Sequence, residues 1–181
     1  MQSTVYFSLG SNLGDRYSNL SECVSLIENN VGEIKSLSSI YKNSAQGFIG
    51  DYFYNCCVKV LTSYKPSELI DIILSIEKTI GRKIRNTQKY ESRKIDIDII
   101  LYDDLIIEEK NLTIPHPRYT QRSFVLVPLL EIDNKLVDPK SKIMIKELLG
   151  DISSEEILDK IKFPYSDRKS TRLNSSHLLI S

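Results

Sequence analysis

Apolar and polar positions alternate in four stretches of the chain, and apolar positions recur at helical spacing in two stretches between them. Alternation predicts strands, because successive side chains on a strand point to opposite faces. The four predicted strands cover residues 4–9, 34–41, 54–62 and 95–102. Helices are predicted over 17–29, after a cap at Asp15, and over 66–80, between Pro66 and Gly81. The order β-α-β-β-α-β predicts an α+β fold, a ferredoxin-like βαββαβ sandwich with both helices on one face of a mainly antiparallel sheet and the other face free.

The rest of the chain predicts additions to this sandwich, namely a C-terminal hairpin and further helices. A turn at residues 103–104 leads to a short partner strand at 105–107. An apolar segment comes next, at 124–130, and is interrupted by Pro128. The last two predicted helices cover residues 145–149 and 154–161.

Length and composition indicate a single globular domain. The chain has 181 residues, of which 41% are apolar and 27% are charged, and both fractions are ordinary for a globular protein. We expect this domain to cover residues 1–166. Residues 167–181 have neither periodicity nor helix caps and resemble the translation of a sequencing adaptor. We therefore expect a non-native tail there, in place of the true C-terminus.

Charge, hydropathy and cysteine content exclude several classes of protein. Lys and Arg total 24, as do Asp and Glu, so the formal net charge of zero argues against general nucleic-acid binding. No apolar run approaches the roughly 20 residues that cross a bilayer. The three cysteines, two of them adjacent, fit neither a disulfide framework nor a zinc site. We expect a monomer in the reducing cytoplasm, with neither a nucleic-acid nor a membrane partner.

The strand at 95–102 carries the candidate chemistry. Its alternating isoleucines face one way, while Asp96 and Asp98 face the other way, roughly 7 Å apart along the strand. Two carboxylates without a cation repel each other, and all-oxygen ligation suits Mg²⁺. Arg93 lies just upstream, where a guanidinium can hold phosphate oxygens, so the segment indicates phosphoryl transfer. The alternative is an edge strand with a solvated polar face.

Several separate segments together resemble the 6-hydroxymethyl-7,8-dihydropterin pyrophosphokinase family of folate biosynthesis. The matching segments are 10–15 (GSNLGD), 54–55 (YN), 76–77 with 81–82 (IE, GR), 92–93 with 95–98 (SR, IDID), and 114–117 with 122–126 and 128–129 (IPHP, RSFVL, PL). The family has the ferredoxin-like fold, in agreement with the element order. The resemblance implies an ATP- and Mg²⁺-dependent enzyme that transfers the pyrophosphoryl group of ATP to the hydroxymethyl group of 6-hydroxymethyl-7,8-dihydropterin and releases AMP.

The resemblance also implies roles for individual residues. Asp96 and Asp98 match the family's magnesium ligands, for two ions bound with ATP. The implied catalytic residues are Arg85, Arg93, Asp96 and Asp98. The implied ATP contacts are Glu77, Arg82, Arg85, Arg93, Thr113, His116 and Arg122, and which of Arg82 and Arg85 reaches ATP stays open. The implied pterin contacts are Asn43, Phe53, Asn55, Tyr90 and Phe124. The turn at 10–15 is expected to be structural, and the polar segment 82–92 to be a lid over the substrates.

Two other functions fit parts of the sequence. The ferredoxin-like fold also serves RNA-binding modules, but these need exposed aromatic side chains on the central strands and a basic surface, and only one of the adjacent Tyr6 and Phe7 can face outward. A catalytically inactive pterin- or nucleotide-binding regulator is the second alternative, and the intact aspartate pair and arginines argue against it. For His116 the alternative is a loop histidine held between prolines, and for Phe124 it is a core residue.

Overall fold

The computed structural model describes residues 1–44, 52–81, 93–150 and 159–163. Its strands are β1 (Ser3–Ser11), β2 (Gly32–Leu37), β3 (Ile40–Asn43), β4 (Phe53–Thr62), β5 (Asp96–Tyr102), β6 (Ile107–Glu109), β7 (Leu112–Ile114) and β8 (Asp159–Ile161). Its helices are α1 (Arg16–Asn30), α2 (Pro66–Ile80), α3 (Ser123–Ile132) and α4 (Ile145–Gly150), with a 3-10 turn at Tyr119–Gln121. The main sheet has the order β5-β1-β4-β3-β8, with β2 also paired to β4, and its pairs are antiparallel. This arrangement confirms the ferredoxin-like α+β fold.

Local sequence signals set the ends of the two central helices. The Asp15 side chain accepts a hydrogen bond of 3.0 Å from the Ser18 N–H at the start of α1. In α2, Pro66 occupies the first turn, where its missing N–H costs nothing. Gly81 ends α2 in the left-handed conformation, at φ 106°, as glycine readily does. The helices predicted at 17–29 and 66–80 are therefore confirmed to within a residue.

The apolar sides of β1, β4 and β5 pack against α1 and α2. Phe7 of β1, Val58 of β4 and Ile97 of β5 share one core cluster with Leu20 of α1 and Leu69 of α2, and each is at most 4% exposed. The alternation of the strands buries these residues on one face and turns the intervening ones to the other face. In the described part of the chain, no helix is both long and apolar enough to cross a membrane.

The second sheet face is partly covered, whereas the element order predicts a free face. Residues of α3, among them Val125 and Leu129, form a second core cluster with Tyr6, Cys57 and Ile100 of the sheet. The apolar segment predicted at 124–130 is thus a helix that contains Pro128 and covers part of this face. The expectation was wrong because the element order of the sandwich carries no information about the segment beyond its last strand.

Two carboxylates hold the C-terminal end of α3 on this face. Glu131 accepts hydrogen bonds from the Ser39 N–H, the Ser39 hydroxyl and the Tyr41 hydroxyl at 2.8–3.0 Å, and pairs with Lys160 of β8 at 3.1 Å. Just beyond the helix, Asp133 accepts hydrogen bonds from the Tyr6 hydroxyl at 2.7 Å and from Lys59 at 2.9 Å. The helix is therefore tied to the sheet by half-buried polar groups as well as by apolar packing.

The single strand predicted at 34–41 is two strands, β2 and β3. Ser38 lies between them, and its hydroxyl accepts the Cys57 N–H at 2.9 Å, where a backbone carbonyl would otherwise pair. The Ser39 N–H donates to Glu131 instead of to the sheet. Side chains thus take over the hydrogen bonds at the break, and apolar periodicity does not detect such an exchange.

Two further predictions about the C-terminal part are corrected. Residues 105–107 do not pair with the fourth strand, because β6 begins at Ile107 and pairs with β7. Residues 159–161 form β8, beside β3, instead of the end of a helix. The rest of that predicted helix, at 154–158, and the predicted tail at 167–181 lie outside the described residues. The helix predicted at 145–149 is confirmed as α4.

Candidate active site

Three neighbouring strands bring the candidate residues onto one patch of the second sheet face. Gly10 of β1 lies directly opposite Asn55 of β4 on one side and Asp96 of β5 on the other. Ser8 is likewise opposite Asp98. Directly opposed residues of a ladder share a face, so the aspartates and Asn55 are on the same surface, with β1 between them. Further along this face α3 covers the sheet.

The two aspartates are flanked by two arginines and a histidine. Asp96 accepts a hydrogen bond of 2.7 Å from the guanidinium of Arg93. One carboxylate oxygen of Asp98 lies 3.8 Å from Nε2 of His116 and 3.8 Å from the guanidinium of Arg122. Both aspartate side chains are about one-third exposed, at 33% and 35%. This arrangement leaves the carboxylates open to a ligand at the surface.

The donor set fits Mg²⁺. Two carboxylates supply only oxygen, and Mg²⁺ is held in phosphate-transfer sites by one or two carboxylates, water and substrate phosphates. Within residues 1–44, 52–81, 93–150 and 159–163, no group of three His, Cys, Asp or Glu side chains could enclose a metal ion. A cation on Asp96 and Asp98 therefore needs further oxygen ligands from water or from a substrate.

His116 is held as a neutral imidazole. Its backbone N–H donates to the carbonyl of Ile100 at 3.0 Å, and its Nδ1 accepts the N–H of Arg118 at 3.2 Å. Burial, together with the positive charges of Arg122 and Arg118, lowers the pKa of His116 to about 4. With Nδ1 acting as an acceptor, the ring proton at neutral pH is on Nε2, the nitrogen that faces Asp98. His116 is thus a hydrogen-bond donor in this site.

The start of α3 supplies an arginine and an aromatic ring. Arg122 immediately precedes the helix, and its guanidinium lies 5.6 Å from the centroid of the Phe124 ring. Phe124 is half-buried at the margin of the second core cluster. A guanidinium over an aromatic face is favourable and holds both groups in place. The ring is therefore neither a fully buried core residue nor an isolated surface one.

Two asparagines and Phe53 lie on the other side of Gly10. Asn55 donates a hydrogen bond from its side-chain amide to the side-chain carbonyl of Asn43, and the two residues are 4% and 5% exposed. The Asn43 amide donates in turn to the carbonyl of Ser44 at 3.1 Å. A Cβ at Gly10 would lie 2.9 Å from the Asn55 side-chain oxygen and 3.8 Å from the Phe53 ring. The absence of a side chain at position 10 therefore leaves room for the asparagine pair.

The remaining predicted site residues are not among those that the strands bring together on this patch. Glu77 of α2 is 1% exposed, and its carboxylate accepts the Ile97 N–H at 2.9 Å, so it belongs to the layer beneath the sheet. Thr113 is half-buried in β7, opposite Glu108. Arg82, Arg85 and Tyr90 lie outside the described residues, as does the predicted lid.

The sequence analysis missed two residues of this region, Gly10 and Asn12. Both belong to the GSNLGD turn, which was expected to be structural. A glycine inside a strand pattern is a recognised signal for close approach of other groups, and it could have indicated Gly10. Asn12 is fully buried and bonded to Arg93, a contact across 81 positions that no local pattern reveals.

Comparison with known proteins agrees with this site. Residues 6–134 match the family described as 7,8-dihydro-6-hydroxymethylpterin-pyrophosphokinase (HPPK). The chain is 41% identical over 145 residues to the 2-amino-4-hydroxy-6-hydroxymethyldihydropteridine pyrophosphokinase of Aquifex aeolicus, covering 80% of this chain and 89% of that protein. It is 38% identical over 131 residues to the protein of the same name from Porphyromonas gingivalis, covering 71% and 89%.

Other relatives are longer proteins. The folic acid synthesis protein FOL1 of Dictyostelium discoideum is 42% identical over 136 residues, which is 75% of this chain but 20% of that protein. The crystal structure of Plasmodium falciparum HPPK-DHPS with pteroate superposes with a TM-score of 0.69 at 17% identity, over 83% of this chain and 42% of that one. At that identity the structural likeness supports the fold alone.

Proposed function

Since the chain belongs to the 7,8-dihydro-6-hydroxymethylpterin-pyrophosphokinase family, we propose a specific division of labour among its residues. The reaction of the family is the transfer of pyrophosphate from ATP to 6-hydroxymethyl-7,8-dihydropterin in folate biosynthesis, and the chain is an ATP-dependent diphosphotransferase. The requirement for Mg²⁺ is part of our proposal. The RNA-binding alternative is set aside by this membership, and the intact aspartate pair and arginines argue against the inactive regulator. The open question is which side chains hold each reactant.

Asp96 and Asp98 are proposed to hold two Mg²⁺ ions together with the phosphates of ATP. When bound, Mg²⁺ neutralises charge on the phosphate oxygens as the pyrophosphoryl group moves. The position of the two carboxylates on β5 of the main sheet supports this role, because a strand with a buried isoleucine face cannot shift without disturbing the core. Arg93, His116 and Arg122 lie around them.

The basic side chains are proposed to bind ATP. Arg93 and Arg122 are each beside one aspartate, so they can contact the same phosphates as the metal ions. Guanidinium groups suit this task because their planar donors match phosphate oxygens. His116, as a neutral donor, can hydrogen-bond a phosphate oxygen without giving up a proton. Arg82, Arg85 and Thr113 complete the proposed set of ATP contacts. Arg85 is proposed to share the catalytic role of Arg93. For Glu77 we propose an indirect part, because its carboxylate holds β5 in place from below.

The residues across Gly10 are proposed to bind the pterin. A flat heterocycle with several edge donors and acceptors needs stacking rings and an amide that reads its edge. Asn55 is oriented by Asn43 for that purpose, and Phe53 and Phe124 flank the same patch. Tyr90 is proposed as a further aromatic contact. The pterin hydroxymethyl group would then point across Gly10 toward the aspartates.

One observation carries the proposal: Asn55 and Asp96 are the two ladder partners of Gly10, on opposite sides of the same strand. Pterin and metal-bound phosphate can therefore meet above a residue without a side chain. The experiment uses ATP labelled at the β- or γ-phosphate, with 6-hydroxymethyl-7,8-dihydropterin as acceptor. Both labels should move to the pterin and AMP should form, while 6-methyl-7,8-dihydropterin, which lacks the acceptor oxygen, should give no AMP. Formation of ADP, or of AMP with the methyl compound, would contradict the proposed reaction.

We also propose that the enzyme is a monomer of the reducing cytoplasm. All three cysteines are free and buried, and burial raises the pKa of each thiol, so none is a ready thiolate. Light scattering during size-exclusion chromatography tests the monomer, and a mass near twice the chain mass of 20.8 kDa would exclude it.

A further inference from the structure

A buried asparagine outside the proposed site is bonded to one of its arginines. Asn12, just beyond β1, is fully buried. Its side-chain oxygen accepts the N–H of Arg93 at 2.7 Å, and its own N–H donates to the carbonyl of Arg93 at 3.1 Å. The two bonds join the same two residues and close a ring, so the main chain of Arg93 is fixed in both position and orientation.

The position of the Arg93 main chain decides where its guanidinium can reach. The guanidinium is 2.7 Å from Asp96, and the side chain is 34% exposed. A long, partly exposed side chain loses much rotamer freedom when it is held in one geometry. A fixed main chain sets the point from which the side chain extends, and so limits the positions that the guanidinium can reach.

Burial of Asn12 requires that its polar atoms be bonded. The bonds to the main chain of Arg93 meet part of that requirement. The neighbouring turn has its own support, since the Asn19 side chain donates to the Ser11 hydroxyl at 3.1 Å and to the Leu13 carbonyl at 2.9 Å. The bond from Asn12 to Arg93 is therefore separate from the bonds that hold the turn.

We propose that Asn12 is a positioning residue for the transfer step, which it promotes by fixing the main chain of Arg93. The inference rests on the proposed role of Arg93 in holding the transferred phosphates. It assigns to the GSNLGD turn a function in the reaction, through one defined contact. Asn12 itself touches no substrate in this proposal.

The test is a double-mutant cycle on kcat, with Asn12→Ala, Arg93→Ala and the double variant. Asn12→Ala should lower kcat by on the order of tenfold to a hundredfold, as small misplacements of a reacting group do. The KM for ATP should change much less. In the Arg93→Ala background, Asn12→Ala should have almost no further effect on kcat, because the group it positions is gone. Asn12→Asp, which keeps the acceptor oxygen, should recover most of the loss.

Asn19→Ala is the matched control, because Asn19 supports the same turn without contacting Arg93. It should lower Tm and leave kcat unchanged. An equal loss of kcat in Asn19→Ala, or effects of Asn12→Ala and Arg93→Ala that multiply, would overturn the inference and leave the role of Arg93 intact. A normal kcat in Arg93→Ala would instead remove the proposed role of Arg93 itself. If Asn12→Ala does not fold, Asn12→Ser takes its place with the same expectations, because its short hydroxyl cannot reach the Arg93 N–H.

Discussion

At the scale of single residues, the site depends on two kinds of polar group with different burial. The aspartates are one-third exposed and lie beside Arg93 and Arg122, so they are available to a metal ion and to phosphates. The asparagines are almost fully buried and bonded to each other, so their orientation is fixed before any ligand arrives. Substitutions at the two kinds of residue should therefore have separable effects.

Asp98→Asn should lower turnover by on the order of a hundredfold or more, because it removes a charged oxygen ligand for Mg²⁺ while keeping the shape of the side chain. Tm should change little, since the apolar side of β5 is untouched. The measurement is AMP formation at saturating ATP and pterin, together with a thermal melt. Asp104→Asn, in the exposed turn after the same strand, is the control and should be normal in both. A normal rate for Asp98→Asn would refute the metal assignment.

Asn55→Ala should weaken pterin binding by about 1–3 kcal/mol for each hydrogen bond lost, because edge groups of the ring are left unpaired. ATP affinity measured without pterin should be nearly unchanged. Isothermal titration of each ligand separates the two effects. Equal losses for both ligands would mean that Asn55 only supports the strand, which is the competing explanation for a buried residue in β4.

At the scale of elements, close strand pairing limits the residues that can begin β2. A Cβ at Gly32 would lie 2.0 Å from the carbonyl oxygen of Leu61 in β4, and backbone at that distance cannot be moved cheaply. At Gly150, at the end of α4, a Cβ would meet nothing within 4 Å. Close contact with β4 therefore explains why position 32 is glycine, whereas no such contact explains the glycine at position 150.

Gly32→Ala should lower stability by about 1–3 kcal/mol, as overpacking does, since β2 must move away from β4. Gly150→Ala should be neutral or slightly stabilising, because alanine favours helix. Urea unfolding of both variants gives the comparison. Because the candidate site is at the other end of β4, folded Gly32→Ala should keep its turnover. Equal midpoints for Gly32→Ala and the unmodified chain would show that β2 accommodates the methyl group.

The elements also show how far the sequence could predict this structure. Alternation located the strands that carry the site, and it placed Asp96 and Asp98 opposite the isoleucines, because burial of one strand face is a local and periodic requirement. It missed the break at Ser38 and the cover provided by α3, since both depend on contacts between distant segments. The bond from Asn12 to Arg93 was missed for the same reason. The substrates were predicted from the resemblance to the family, because a pattern of buried residues carries no information about substrates.

At the scale of the whole molecule, stability should depend on the carboxylates that tie α3 to the sheet. Burial alone would raise the pKa of Asp133, but the hydrogen bonds from Lys59 and Tyr6 outweigh it, and the pKa is held below the usual 3.8. A carboxyl with a lowered folded-state pKa stabilises the native state above its unfolded pKa. That stabilisation is lost as the pH falls through the folded value.

We therefore expect Tm to be level through neutral pH and to fall as the pH drops below about 4. Asp133→Asn should have a lower Tm at pH 7 and a shallower fall in acid, because one of the titrating carboxylates is gone. Thermal melts from about pH 7 to about pH 3 measure both slopes. Asp104→Asn serves again as the control, with the slope of the unmodified chain. Parallel curves for Asp133→Asn and the unmodified chain would exclude Asp133 as a contributor to acid unfolding.

The bond between Glu77 and the N–H of Ile97 has a consequence for how copies of this protein meet one another. In the described part of the chain β5 is the last strand on its side of the sheet, and a terminal strand with free N–H groups can recruit the strand of another molecule. The Ile97 N–H is already occupied by a carboxylate from within the same chain. An approaching strand would have to displace the buried side chain of Glu77 in order to pair there. At Ile97 the edge of β5 is in this way protected from pairing with another strand by a residue of α2.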